Sequence, residues 1–81
     1  MDLEQLRQLD AIANAGTMSA AARTVHISQP ALSRSLRRLE TELGQPLFDR
    51  VGRRLEMNEA GRIALEHARQ ILRDERLMRD A

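Results

Sequence analysis

Gln29, Ser33, Arg34, Arg37 and Arg38 form the polar face of one helical segment, and no carboxylate interrupts that face before Glu40. Gln can pair bidentately with adenine, and the planar Arg fork grips guanine edges or phosphate oxygens. Gln29 and Ser33 lie four apart and so share a helix face. Ser28 precedes them as an N-cap, its hydroxyl satisfying a backbone N–H left unpaired at a helix start. Pro30 falls in the first turn, where its missing N–H costs little. The opposite stripe of Leu32, Leu36, Leu39 and Leu43 has helical spacing and reads as core, with no site role. Polar residues of these types on a framed helix suit the edges and phosphates of duplex DNA.

Charge is distributed to match. The sum is +1, and all thirteen basic residues are Arg. Met18 to Arg54 holds seven Arg (23, 34, 37, 38, 50, 53, 54) against Glu40, Glu42 and Asp49, a balance of +4. Met1 to Thr17 stands at −2 and Leu55 to Ala81 at −1. The basic middle points to a polyanionic partner. A GC-rich genome accounts for the absence of Lys, but not for the clustering.

Other chemistry is poorly served. With no Cys, disulfides and thiolate zinc sites are excluded. His26 and His67 stand far apart without metal-ligand company, and read as a turn residue and a helix-surface residue. Ser28 near His26 lacks a third group to orient a base, and the cap explains it better. Phe48 is the only aromatic residue, which argues against stacking platforms for single strands. No cofactor, metal or catalytic residue is expected. No apolar run reaches membrane-span length and the polar start is unlike a secretory signal, so the expected compartment is the cytoplasm.

At 81 residues the chain makes one small domain. A first helix is expected from about Asp2 to Ala15, burying Leu3, Leu6, Leu9, Ile12 and Ala13 and ending at Gly16. Ser19 is expected to cap a short second helix from Ala20 to about Val25. His26-Ile27 then leads to the Ser28 cap and a third helix that ends near Leu43, with Gly44 as its C-terminal turn. Two short helices across a tight turn, at about 18–37, make a helix-turn-helix. Residues 47–57 break the helical period and read as a two-stranded hairpin, or wing, carrying Arg50, Arg53 and Arg54. Asn58 caps a fourth helix that runs to about Arg79. Its Ala64, Ala68, Ile71 and Met78 follow heptad spacing interrupted by Glu75, and Leu65 and Leu72 widen the stripe. That stripe exceeds what one small body covers, so a partner is expected there.

These residues resemble the N-terminal DNA-binding domain of LysR-type transcriptional regulators over essentially the whole chain. The resemblance rests on Leu6, Leu9, Gly16, Ser19, Ala21-Ala22-Arg23, Ser28-Gln29-Pro30-Ala31-Leu32-Ser33, Leu39-Glu40, Leu43-Gly44, Leu47-Phe48-Asp49-Arg50, Gly52-Arg53-Arg54 and Glu59-Ala60-Gly61. It implies a mostly α fold: a winged helix-turn-helix of three helices plus a two-stranded wing over 1–58, then a linker and dimerisation helix over 59–81. It implies sequence-specific duplex DNA binding for transcriptional regulation, as a homodimer paired through Ala64, Leu65, Ala68, Ile71 and Leu72. The expected DNA contacts are Ser28, Gln29, Pro30, Ser33, Arg34, Arg37 and Arg38 on the third helix, and Arg50, Arg53 and Arg54 on the wing. An effector-binding domain is expected in a full-length protein. The sequence departs from the family at Leu9-Asp10 and Met18, where Phe is usual, and at Asn58, where Thr is common.

Some roles have rivals. Arg38 can pair with Glu42 at i,i+4 instead of meeting DNA. Arg50 can brace the wing against an acid. Arg53 and Arg54 sit well for the minor groove or its phosphates, but also suit an ordinary turn. Two other functions compete with DNA binding: a winged helix that docks on protein, and a dimerisation module built on the fourth helix. The first would tolerate Arg34→Ala and show little salt-dependent DNA affinity; the second predicts self-association without DNA binding and leaves the basic middle unexplained.

Overall fold

The computed structural model describes all residues, 1–81. The order is α1 (Leu3–Ala15), α2 (Met18–Val25), α3 (Gln29–Leu43), β1 (Phe48–Val51), β2 (Arg54–Met57) and α4 (Glu59–Asp80). β1 and β2 form one antiparallel hairpin, with Phe48 opposite Met57, Arg50 opposite Leu55 and Val51 opposite Arg54. This is a winged helix-turn-helix followed by a long helix.

Each helix is started by a side chain. Asp2 and Gln5 form a reciprocal capping box on α1. Ser28 accepts the Ala31 N–H on α3, and Asn58 accepts the Gly61 N–H on α4. For α2 the cap is Thr17 rather than Ser19, so the helix begins two residues earlier than expected. Thr17 is also a good N-cap, and it follows directly on Gly16, whose φ of 79° turns the chain. At the end of α2, His26 adopts the left-handed conformation, and the amides of His26 and Ile27 bond back to Arg23 and Ala22. That closes the turn before α3 within three residues.

The core has two halves. Ile12, Met18, Ala21, Ala22, Leu32 and Leu55 fill one, beneath α2 and the wing. Leu6, Leu9, Leu39, Leu47 and Ala68 fill the other, between α1, α3 and α4. Leu9, Ile12, Leu32, Leu39 and Leu47 are fully buried, and burying such a side chain is worth ~1.5–3 kcal/mol. The small side chains of Ala21 and Ala22 let α2 sit close to its neighbours, which keeps the helix-turn-helix tight.

The stripes differ from expectation in detail. Leu43 is 40% exposed, because α3 outruns the body beneath its last turn, and Leu36 is only half-buried. Ala13 is half-buried too, whereas Gln8 and Ala11 face inward. Gln8 is tolerated there because its side-chain oxygen accepts a hydrogen bond from the Ser35 hydroxyl on α3. Polar ties also hold α4 against α1: Arg69 bonds Asp10 at 2.8 Å and Asn14 at 2.9 Å. Glu75 does more than interrupt the heptad pattern. Its side chain is 15% exposed and pairs with Arg79 at 2.6 Å and Arg7 at 3.5 Å.

Candidate nucleic-acid interface

α3 presents its polar side outward. Ser28, Gln29, Pro30, Arg34, Arg37 and Arg38 are exposed and Ser33 is half-buried, while Leu32 and Leu39 point into the core behind them. The cap fixes the start of this face. The Ser28 oxygen accepts the Ala31 N–H at 3.2 Å, and the hydroxyl proton stays free to donate outward.

The wing closes beside the start of α3. The Leu55 N–H donates to the Gly16 carbonyl at 2.9 Å, docking β2 on the α1–α2 turn. A cleft results, lined by Thr17 and Ser19 at the start of α2, Gln29 at the start of α3, and Arg50 and Arg53 on the wing. The fold thus brings together Gln29, Arg50 and Arg53, which the sequence separates by more than twenty residues. A second hollow, farther along α3, is lined by Arg34, Arg37, Arg38, Thr41 and Glu42. Arg54 lies differently. It stands opposite Val51 and its guanidinium rests beside Gly16, close to where a Cβ there would project.

No arginine of the basic middle is neutralised by its own chain. Arg23, Arg34, Arg37, Arg38, Arg50, Arg53 and Arg54 are all exposed, and none has a carboxylate within 4.0 Å. Of the six arginines outside that segment, Arg7, Arg62, Arg69 and Arg79 are paired with carboxylates, Arg73 bonds the Gln70 side chain, and Arg76 has no acidic partner. The rival roles for Arg38 and Arg50 therefore do not occur. Glu42 bonds the N-terminal ammonium at 2.7 Å instead of Arg38, and Arg50 lies across the hairpin from Leu55 rather than from an acid.

Several residues hold this surface in place through contacts that only the folded chain shows. Glu40 accepts the Leu47 N–H at 2.7 Å, tying the end of α3 to the root of the wing. Gly61 packs its Cα against the Leu47 carbonyl. Ser35 joins Gln8. Spacing held a signal for Ser35, which sits three residues after Leu32 and four before Leu39, on the apolar stripe. Glu40 belongs to the residues that carry the family resemblance, but nothing in the local sequence marked its partner, a backbone amide seven residues on.

The five residues expected to pair two chains divide by burial. Ala68 is 1% exposed and belongs to the chain's own core, with Ala64, Leu65 and Leu72 packed half-buried against the same cluster. Only Ile71, 44% exposed, is available outside. The reason is that α1 covers this part of α4, so much of the stripe is satisfied within one chain. Ile63, Leu77 and Met78 are exposed as well, a face that heptad spacing did not identify apart from Met78. An apolar groove lined by Leu43, Ala60, Ile63, Ala64 and Ile71 runs between α3 and α4. No helix is long and apolar enough to cross a membrane.

Comparison with known proteins agrees with this architecture. The chain is 48% identical over 80 residues to the SDS degradation transcriptional activation protein of a Pseudomonas species, covering 99% of this chain and 26% of that protein. It is 46% identical over 72 residues to the transcriptional regulator ClcR of Pseudomonas putida, covering 89% of this chain and 24% of ClcR. The chain thus spans about a quarter of the length of these relatives. Among solved structures, the CbnR DNA-binding domain in complex with DNA superimposes with a TM-score of 0.94 at 41% identity, covering 99% of this chain and 92% of that one. The BenM DNA-binding domain in complex with benA site 1 DNA gives 0.93 at 31% identity, covering 99% and 93%. The profile described as "Bacterial regulatory helix-turn-helix protein, lysR family" matches residues 3–62, and with three quarters of its length inside that match the chain belongs to the lysR family of bacterial regulatory helix-turn-helix proteins.

Proposed function

We propose that this chain binds duplex DNA sequence-selectively, as the DNA-binding part of a longer transcriptional regulator, and that it acts as a two-fold dimer. One observation carries the reading: the six exposed arginines of α3 and the wing, with Arg23 on α2, have no acidic partner in the chain. Phosphates supply that partner, and the counterions they release supply the affinity. A helix about 10–12 Å across fits the major groove, which is ~12 Å wide.

Gln29, Ser33 and Arg34 reach base edges, with Ser28 and Pro30 at the edge of the groove. Arg37 and Arg38 meet phosphate. Arg50 and Arg53 reach the neighbouring minor groove or its phosphates, and Arg54 contributes to the same positive field from beside the α1–α2 turn. Residues 1–58 carry the DNA contacts, and 59–81 connect and pair two copies. Ile63 and Ile71, beside the groove they help line, offer the apolar area for a second chain. A two-fold pair would match a palindromic site, with half-sites one helical turn of DNA or a multiple apart. The solved DNA complexes of CbnR and BenM support the DNA reading. The greater length of the relatives leaves room for an effector-binding domain. The role needs no catalytic group, and it places the protein in the cytoplasm, with bacterial DNA.

Selection of bound sites from random duplex DNA tests this directly. A palindromic consensus is the expected result, and recovery of unselected sequence would overturn it. Arg34→Ala should weaken the selected site by ~1–3 kcal/mol and relax preference at one position, with a much smaller effect on random DNA. Equal weakening of both would reassign Arg34 to the phosphate backbone.

A further inference from the structure

The recognition helix and the wing are joined by one side-chain hydrogen bond, from the Leu47 amide to Glu40. We infer that this bond sets the pitch of the wing against α3, making Glu40 a positioning residue for the wing's contact with DNA; the inference rests on the DNA-binding reading above.

Glu40 closes the recognition helix and grips the wing together. Its backbone carbonyl accepts the Gly44 N–H at 2.8 Å and the Gln45 N–H at 3.1 Å, ending α3. Its carboxylate accepts the Leu47 N–H at 2.7 Å. The other side of Leu47 is held from α4: the Asn58 N–H donates to its carbonyl at 3.1 Å, and the Asn58 side-chain amide donates to the Pro46 carbonyl at 3.0 Å. Leu47 itself is 1% exposed. β1 starts one residue later, and Arg50 and Arg53 follow along the hairpin.

Geometry makes this root sensitive. The turn at the tip lies five residues beyond Leu47, or ~16 Å along a strand. A tilt of about 5° at the root therefore moves the tip by ~1.5 Å, enough to break a hydrogen bond to phosphate. At the far end the hairpin is tied to the helices by the Leu55–Gly16 bond, which fixes one point but not an angle. At the root, Asn58 ties Pro46 and Leu47 to the start of α4, and Glu40 supplies the side-chain tie to α3, so the pitch against the recognition helix depends on Glu40. A charged acceptor suits the task, because bonds to an ionised group are shorter and about twice as strong as neutral ones.

A carboxylate near DNA has a rival effect with the opposite sign. If Glu40 acted only by repelling phosphate, its removal would tighten binding and steepen the salt dependence. Two substitutions separate these effects. Glu40→Gln removes the charge but keeps an oxygen within reach of the Leu47 amide. Glu40→Asp keeps the charge but is one methylene too short.

The test measures affinity of the chain for its selected duplex across salt concentrations, for both variants, alone and combined with Arg50→Ala/Arg53→Ala. Glu40→Gln should stay within ~3-fold of the parent with an unchanged salt slope, whereas Glu40→Asp should bind ~10-fold more weakly with a slope shallower by about 0.9 for each phosphate no longer neutralised. The base consensus should not change. Adding Glu40→Asp to the double arginine variant should cost less than about twofold more, since the wing no longer reaches DNA there. Full additivity with the arginine variant would overturn the inference, because Glu40 would then serve the fold and not the wing. Tighter binding by Glu40→Gln with an unaltered Glu40→Asp would overturn it in favour of repulsion. Failure of the parent chain to bind any duplex would instead bring down the DNA-binding reading itself.

Discussion

Gly61→Ala puts two well-measured effects against each other. Gly61 lies in the first turn of α4, where Ala is the better helix former by ~1 kcal/mol. On propensity alone, the substitution stabilises. A Cβ built on Gly61, however, would stand 2.1 Å from the Leu47 carbonyl oxygen and 2.7 Å from the Met57 Cγ. The Met57 side chain can swing away. The carbonyl cannot, since it is backbone and already accepts the Asn58 N–H at 3.1 Å. Reaching even a tight 3.0 Å contact from 2.1 Å requires α4 and the wing root to part by about 0.9 Å. Overpacking of this kind costs ~1–3 kcal/mol, and here it also strains the Asn58–Leu47 bond, worth ~1 kcal/mol. The sum is ~2–4 kcal/mol against a gain of ~1, so a net loss of ~1–3 kcal/mol is expected. In a domain this small, each kcal/mol lowers Tm by roughly 4–8 °C, so thermal unfolding followed by circular dichroism should show a drop of ~5–20 °C. An unchanged or raised Tm would refute the reasoning, since it would mean that α4 does not touch the wing root as closely as described.

Further outcomes follow from burial. Ile71→Asp should leave helix content intact, because the side chain is 44% exposed in the single chain, yet weaken self-association by at least ~30-fold, as two copies each lose about 1 kcal/mol of apolar burial; sedimentation equilibrium reads this, and a parent chain that is monomeric at micromolar concentration would show that α4 alone does not suffice. Ala68→Asp should unfold the protein instead, since Ala68 is 1% exposed and the charge would have no partner, and circular dichroism distinguishes the two. Ser35→Ala should cost ~1–3 kcal/mol in urea denaturation by leaving the Gln8 amide oxygen unsatisfied, while the double variant Gln8→Leu/Ser35→Ala should recover much of the loss. A Ser35→Ala variant as stable as the parent would mean that water replaces the hydroxyl.

Local rules settle within a few residues, so the sequence carried them. The Ser28 cap, Pro30 in the first turn, the leucine stripe and Gly44 define α3 without any tertiary contact. The arginine clustering is likewise a property of the chain. The two-stranded wing followed from a break in period and a glycine near the turn. The choice between Thr17 and Ser19 as the cap of α2 was not local. Both residues can cap, and the register that buries Met18 against α1 decided it. Which arginines remain unpaired was also undecidable from spacing: Arg38 and Glu42 are correctly placed for an ion pair, but Glu42 is engaged elsewhere.

Tertiary packing determined the rest because it depends on what each face meets. The α4 stripe is wide enough for a partner, yet only the fold shows that α1 covers Ala68 and part of Leu65 and Leu72, leaving Ile63 and Ile71 outside. The meeting of Gln29 with Arg50 and Arg53 arises because the Gly16 carbonyl receives the Leu55 amide, a contact between backbone groups that no side-chain pattern encodes. Glu40 and Gly61 act on the same distant residue, Leu47, one by accepting its N–H and the other by having no Cβ to crowd its carbonyl. The sequence thus determined the helices and their chemistry, through interactions within one or two turns. The structure alone decided how the wing is aimed and which apolar face is left free, because both result from contacts between residues far apart in the chain.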